Sequence, residues 1–173
     1  MEKNIEEKNI EQKNIIENNI VEKNYWHIQM HLPNEQSGIS IDSIKMLEEK
    51  EPVIGINEWD NIQFKNFKNE NGMGLKVGDI ILVREVQMIL ALCEVTGDSF
   101  RNGILERKYK HTHYRHVRVL EFYQGYEIFP QPQGVLSKLS THKTKAYKFV
   151  DSWYKKLYPT PEQEISQEQK SEE

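Results

Sequence analysis

The sequence has few of the features that mark disulfide-linked or membrane-spanning proteins. Its 173 residues include one cysteine, Cys93, which lies in an apolar run and has no intramolecular disulfide partner. No apolar stretch approaches the roughly 18 to 20 residues that span a bilayer, and the amino-terminal segment is polar where a secretory signal would be apolar. We therefore expect a soluble, cytoplasmic protein with one folded domain and no membrane partner.

Motifs of the common enzyme classes are also missing. The sequence contains no Gly-x-x-x-x-Gly-Lys-Ser/Thr phosphate loop, no Gly-x-Ser-x-Gly elbow, no His-Glu-x-x-His and no Cys-x-x-Cys. His111, His113 and His116 are close enough in sequence to suggest zinc, but no cysteine pair accompanies them. We therefore expect no catalysis, no cofactor and no metal, with these histidines in a basic loop or on the surface.

Charge is unevenly distributed along the chain. The formal net charge is −4, yet residues 101–156 hold 12 basic and 4 acidic side chains, whereas residues 25–100 hold 6 basic and 12 acidic ones. A basic segment of this kind indicates a polyanionic partner. Simple solvation of two outer faces is the alternative that composition leaves open.

The two ends differ from the middle in composition. Residues 1–24 repeat a five-residue unit, Glu-x-Lys-Asn-Ile, whose period carries isoleucine around a helix without forming one stripe. We expect a disordered low-complexity leader there, with a partner-binding helix as the alternative. Residues 158–173, rich in Glu, Gln and Pro, are expected to form a linker or tail, which leaves residues 25–157 as the folded domain.

Hydrophobic patterning in the middle predicts a mixture of strands and helices. Pro33 should end the first strand and Pro52 the first helix, since proline lacks the backbone donor. Expected strands are 25–31, 53–56, 79–85, 89–96 and 114–122; expected helices are one capped by Ser40, Asp42 or Ser43, a helix or irregular turn over 59–67, and 141–158 with Tyr147, Val150, Tyr154 and Leu157 buried. Residues 97–112 should form a long basic loop.

Five short patterns occur in an order that resembles the EVE domains of the PUA-like superfamily, which are related to YTH modified-RNA readers. They are Tyr25-Trp26, Trp59-Asp60-Asn61-Ile62, the approach to Lys76-Val77-Gly78-Asp79, the strand Leu90 to Val95, and the alternating strand Arg115 to Phe122. The resemblance covers roughly residues 25–157. It implies an α+β fold, a PUA-like mixed β-barrel of about five or six strands flanked by helices, with a pocket for a flipped, modified base.

The resemblance implies particular pocket residues. Trp59 would supply one flat wall, and a second wall would come from Tyr109, His113 or Tyr114. Asn57 and Asp60 could hydrogen-bond to an exocyclic amine or act as helix caps. Trp26 and His31 complete the expected pocket, although Gln29-Met30-His31 departs from the Lys-Ser-Glu/Asn step usual at that strand end, and Asn61 replaces a common glycine.

Basic side chains are expected to hold the phosphates around that pocket. Cations interleaved with aromatics bind a nucleic-acid backbone by charge and counterion release. The residues assigned to this role are Arg101, Arg107, Lys108, Lys110, Arg115, Arg118, Lys138 and Lys143.

A further likeness is to the amino-terminal specificity domains of McrB-type, GTP-driven restriction systems. It implies DNA carrying N6-methyladenine or a 5-substituted cytosine as the partner, a AAA+ GTPase motor on the same full-length chain, and a separate nuclease subunit. Two other functions stay open: an RNA-binding PUA-like module, and a protein-interaction domain whose basic face meets an acidic partner.

Overall fold

A computed structural model describes residues 23–30, 41–58, 61–130 and 134–159 of the chain, with the side chains of residues 41 and 42 excepted. Most of the predicted leader and most of the predicted tail lie outside these ranges. Within them the strands are β1 Tyr25–Gln29, β2 Val53–Ile56, β3 Ile80–Glu85, β4 Met88–Val95, β5 His113–Phe122 and β6 Leu136–Lys138. The helices are α1 Ile41–Glu48, α2 Ile62–Lys68, α3 Gly103–Tyr109 and α4 Lys145–Leu157.

The six strands form one mixed sheet in the order β2-β5-β4-β3-β1-β6. β1 runs parallel to β3, and the other neighbouring pairs are antiparallel. The expected α+β class, a mixed sheet of five or six strands with flanking helices, is confirmed. β2 and β6 are the two edges, so the described strands form a curled half-barrel rather than a fully hydrogen-bonded barrel.

The curl of the sheet comes from β5, which pairs with a different strand along each half. Its residues 117–122 pair with β4, whereas residues 113–116 pair with β2. A bulge in the β4–β5 register between Leu92 and Cys93 lets β5 bend. Helix α2 then links β6 to β5: Gln63 accepts hydrogen bonds from the backbone of Val135 and Leu136 at β6, and Phe64 lies against the start of β5.

Apolar side chains pack on both faces of the sheet. The inner cluster contains Trp26, Ile28, Ile81 and Val83 together with residues of β2, α1 and α2. The outer cluster lies beneath α4 and contains Tyr25, Ile80, Leu82 and Leu92. Because successive residues of β1 and β3 alternate between the two clusters, both strands are buried on both faces, and this includes the polar side chains of His27, Arg84 and Glu85.

Helix α4 begins later than the sequence predicted. Thr144 caps it by accepting a hydrogen bond from the backbone N–H of Tyr147, so the helix begins at Lys145 rather than at residue 141. Its buried residues are Ala146, Val150 and Trp153, whereas Tyr147 and Tyr154 flank this stripe and are only partly buried. The buried stripe therefore differs from the predicted one. Tyr147 and Tyr154 lie at the edge of the contact between α4 and the sheet, where their ring centroids are 5.2 and 6.0 Å from that of Tyr25.

The predicted basic loop contains a helix. Asn102 accepts hydrogen bonds from the backbone of Ile104 and Leu105, and this cap starts α3. Lys110 ends it in a left-handed conformation with φ 64°. The prediction of an unbroken loop over residues 97–112 was therefore wrong. The Asn102 cap starts a helix even though a glycine and several charged residues, which disfavour a helix, follow it.

Trp26, which the sequence assigned to the base pocket, is an interior residue. Its side chain is 1% exposed, and its indole Nε1–H donates to Oδ2 of Asp79 at 2.9 Å. The same carboxylate accepts from the backbone N–H of Lys76 at 2.9 Å and from the Asn24 side chain at 3.0 Å. An indole this deeply buried and bonded to Asp79 is not available to a ligand, so Trp26 contributes to stability.

Replacement of Asp79 by alanine should lower the free energy of unfolding by about 2 to 4 kcal/mol, because it leaves three donors without their acceptor, one of them on a buried indole. Urea denaturation followed by circular dichroism measures this loss. Asp79→Asn, which keeps one acceptor oxygen, is the matched control and should lose less. An alanine variant within about 0.5 kcal/mol of the parent would contradict the assignment.

Candidate functional site

Four chain segments meet at one end of the curled sheet. The backbone N–H of Thr112 donates to the carbonyl of Ile56 at 3.2 Å, and the N–H of Glu58 donates to the Thr112 hydroxyl at 2.7 Å. His111 hydrogen-bonds to the backbone of Met30 at the end of β1. We call this end the mouth, and define it by Met30, residues 56–58, residues 61–64 and residues 111–113.

The buried ring of His111 connects β2, β5 and the end of β1 at the mouth. It is 5% exposed, and its ring lies against Gly55 of β2 and edge-on to Tyr114, with centroids 6.2 Å apart. Burial lowers the pKa of His111 to about 4, although the hydrogen bond to Met30 opposes that shift. The ring is therefore neutral at pH 7, and its Nδ1 has no hydrogen-bond partner among the described residues. Gly55 could have signalled this contact, since glycine inside a strand marks close approach of another group.

His113 presents a second imidazole beside it. Its ring packs edge-on against Phe64 of α2, with centroids 4.8 Å apart and planes at 76°. Nδ1 lies 3.1 Å from the Thr112 hydroxyl, so Phe64 and Thr112 together fix the ring orientation. Burial lowers the pKa of His113, while Glu58 acts in the opposite direction. Sequence patterning did not indicate Phe64 or Thr112 as partners of this ring.

The mouth includes only part of the predicted pocket. Asn57 is half-buried there and leads into Trp59 and Asp60, which lie outside the described residues, as does His31. Tyr109 is buried, and its hydroxyl donates to Glu49. Tyr114 is also buried and donates to the His111 carbonyl at 2.9 Å. His113 is also buried, at 7% exposed, but of the three alternatives for a second wall it is the one that borders the mouth.

The helix that follows the tryptophan is capped by a residue that the sequence did not single out as a cap. Asn61 accepts a hydrogen bond from the backbone N–H of Phe64 at 2.9 Å, so Asn61 begins α2. Asn57 lies in the segment that leads away from β2, upstream of that cap. The side chain of Asn57 is therefore not used as the α2 cap.

Carboxylates neutralise four of the eight predicted phosphate ligands. Arg101 lies 3.7 Å from Glu106, and Arg118 and Lys108 pair with Glu94 and Glu49. In the described ranges, no carboxylate lies within 4 Å of the other members of the set that remain exposed. These are Arg107, Lys110, Lys138 and Lys143.

Arg115 is the fourth paired cation, and its expected role is corrected by its burial. The residue is 1% exposed. Its Nη1 donates to the Leu75 carbonyl at 2.6 Å, its Nη2 lies 3.6 Å from Asp98, and the guanidinium lies 6.0 Å from the Phe67 ring. The side chain points into the curl because β5 bends there, which leaves both faces of its first half covered. A phosphate outside the protein cannot reach it.

Two negative observations hold for the described part of the chain. No group of three His, Cys, Asp or Glu residues there is arranged to hold a metal ion. Among the described helices, none has the length and apolar character needed to cross a bilayer.

Comparison with known proteins gives one weak structural likeness. No family model and no curated protein sequence matches the chain. A solved structure of the human THYN1 protein in complex with 5-methylcytosine-containing DNA is similar over 80% of this chain and 100% of that chain, at 10% identity and a TM-score of 0.48. Because that score is below 0.5, nothing about this chain rests on the likeness.

Replacement of Gly55 by alanine should destabilise the mouth, because a Cβ there would lie 2.8 Å from the His111 ring. We expect a loss of about 1 to 3 kcal/mol in urea unfolding, the usual cost of overpacking. Gly103→Ala is the control, since the atom nearest to its Cβ is a flexible arginine nitrogen 3.8 Å away. Equal effects of the two changes would show that His111 does not pack tightly on β2.

Stability should fall as the pH drops below about 6.5. Burial lowers the pKa of His27 to about 3 and that of His111 to about 4, so the unfolded chain binds protons that the folded chain excludes. Each buried histidine then adds up to about 1.4 kcal/mol per pH unit to the slope between pH 6.5 and its folded pKa. Urea unfolding at several pH values should show a shallower slope for His111→Gln than for the parent. His142→Gln, which replaces an exposed imidazole, is the control, and a slope that His111→Gln leaves unchanged would contradict the prediction.

Proposed function

We propose that this chain is a DNA-binding recognition domain that reads a modified base, N6-methyladenine or a 5-substituted cytosine, flipped into the mouth. The observation that carries the proposal is the position of His113. Its ring, held by Phe64 and Thr112, borders the mouth where the chain passes through Asn57 towards Trp59. An imidazole on one side and an indole on the other would provide two flat walls for a base.

The chemistry of the mouth suits a planar, neutral ligand. Since burial lowers the pKa of His113, this imidazole is uncharged at neutral pH and can stack on a base without adding a positive charge. Stacking on an aromatic side chain is worth about 1 to 3 kcal/mol per base, which is comparable to the few kcal/mol lost when a base leaves the duplex. Asn57 and Asp60 would supply hydrogen bonds to the base edge, the feature that distinguishes adenine from cytosine.

Cations near the mouth would hold the strand around the flipped nucleotide. Arg101 and Lys68 lie near His113 and lower its pKa, but Glu106 and Glu70 pair with them. Arg107 and Lys110, at the carboxyl end of α3, have no carboxylate within 4 Å among the described residues. These side chains would contact phosphates without reading sequence.

We further propose that the domain is the specificity element of a modification-dependent restriction system. This part rests on the sequence resemblance of residues 25–157 to EVE domains and to McrB-type specificity domains. A AAA+ GTPase motor on the full-length chain and a separate nuclease subunit would then act on the DNA that this domain has bound.

The test is a titration of labelled DNA duplexes that carry adenine, N6-methyladenine, cytosine or 5-methylcytosine at one position. We expect one marked duplex to bind at least about tenfold more tightly than its unmarked partner, which corresponds to about 1.4 kcal/mol. Trp59→Ala and His113→Ala should each reduce that ratio towards one. Matched RNA oligonucleotides in the same titration distinguish a DNA reader from an RNA-binding module.

Tyr158→Ala, which removes an exposed aromatic ring at the end of α4, is the matched control and should preserve the ratio. Affinity that ignores both the mark and the two mouth variants would refute base reading. Tighter binding of the marked RNA would replace DNA with RNA as the partner.

A further inference from the structure

We propose that a groove between the carboxyl end of β5 and helix α4 binds the sugar-phosphate backbone of a nucleic-acid strand. The proposal rests on the function proposed above, but it concerns a different surface from the mouth. The groove has a volume of about 680 Å³. Residues of α4 form one side of it, and residues 121–127 form the other.

The α4 side carries a row of lysines. Lys145, Lys148 and Lys156 line the groove together with Ser152, at positions i, i+3, i+11 and i+7, so they occupy one face of the helix. Within the described residues, none of these three amines has a carboxylate within 4 Å. Lys155, on the adjacent face, pairs with Asp151 at 2.8 Å. Of the α4 lysines, Lys155 is therefore paired with a carboxylate, whereas the three that line the groove are available to an anion.

The floor of the groove is aromatic and fixed in place. Tyr123 and Phe149 are half-buried with ring centroids 6.0 Å apart, and Trp153 lies 5.3 Å from Tyr123. The indole N–H of Trp153 donates to Glu121, which joins the two sides. Flat rings below a row of cations are the combination by which proteins hold sugars and bases of a strand while binding its phosphates.

The opposite side carries two carboxylates, which set the position of the strand. Glu121 and Glu127 line the groove, so a polyanion would be repelled from that side and drawn towards α4. Beyond the amino end of α4, Lys138 lines an adjoining hollow that Lys145 also borders. The cations therefore continue past the groove while the carboxylates do not, and this favours an extended polyanion over a compact anion.

The test replaces two groove lysines, Lys145→Gln with Lys148→Gln, and measures the affinity for a marked duplex at several salt concentrations by fluorescence anisotropy. If both amines contact phosphates, the slope of log K against log salt should become shallower by about 1.4 to 1.8. Marked and unmarked duplexes should lose affinity equally. Duplexes with double-stranded or single-stranded flanks show which form of the backbone occupies the groove.

Lys155→Gln is the matched control, because it removes a lysine of the same helix that is already paired, and it should leave the slope nearly unchanged. A double variant with an unchanged slope would overturn the proposal. A poly-glutamate peptide provides a second way to overturn it. If this peptide binds the parent more tightly than DNA of equal charge, and the double variant loses that binding, the groove is a site for acidic protein segments. The slope reports on the groove and the marked-to-unmarked ratio on the mouth, so either proposal can fail without the other.

Discussion

The two-way pairing of β5 is the constraint on which the rest of the structure depends. One strand hydrogen-bonds to β4 over residues 117–122 and to β2 over residues 113–116, and it can do both only by bending. The bend turns β2 back towards the end of β1. Without it, His111 could not reach the backbone of Met30, and α2 could not contact both β6 and β5.

Two buried arginines bind backbone carbonyls, one inside the curl and one in the β3–β4 turn. Arg115 binds the Leu75 carbonyl from inside the curl, and Arg84 binds the Val86 carbonyl in the β3–β4 turn, where Val86 has φ 52°. A β-branched residue in the left-handed region is strained, so the turn persists because its surroundings fix it. Arginine, with several donors in a fixed fork, can satisfy carbonyl groups that a lysine would leave unpaired.

Runs of apolar and strand-forming residues predicted β1 to β4, and an alternating pattern predicted β5, because strands buried on both faces give continuous runs and half-buried strands alternate. The three-residue strand β6 was not predicted. The β3–β4 hairpin and β2 were predicted within one or two residues. Helix α3 was missed because its signal was a single cap, Asn102, inside a charged segment. The buried stripe of α4 was misplaced because tyrosine and tryptophan are both amphipathic, and tertiary packing decided which of them faces the core.

The prediction of the site was limited by a different effect. A count of lysines and arginines cannot show which of them a carboxylate from a distant segment will meet. Glu49 reaches Lys108 across 59 positions and Glu94 reaches Arg118 across 24, so two strong cations of the basic segment are neutralised by residues outside it. Residues 101–118 thus lose much of their excess charge on folding, while the lysines of α4 that border the groove keep theirs. A strongly basic segment therefore marks a polyanion site only where the folded chain leaves its cations without carboxylates. By that criterion, the groove along α4 and the carboxyl end of α3 are better candidates than β5 itself.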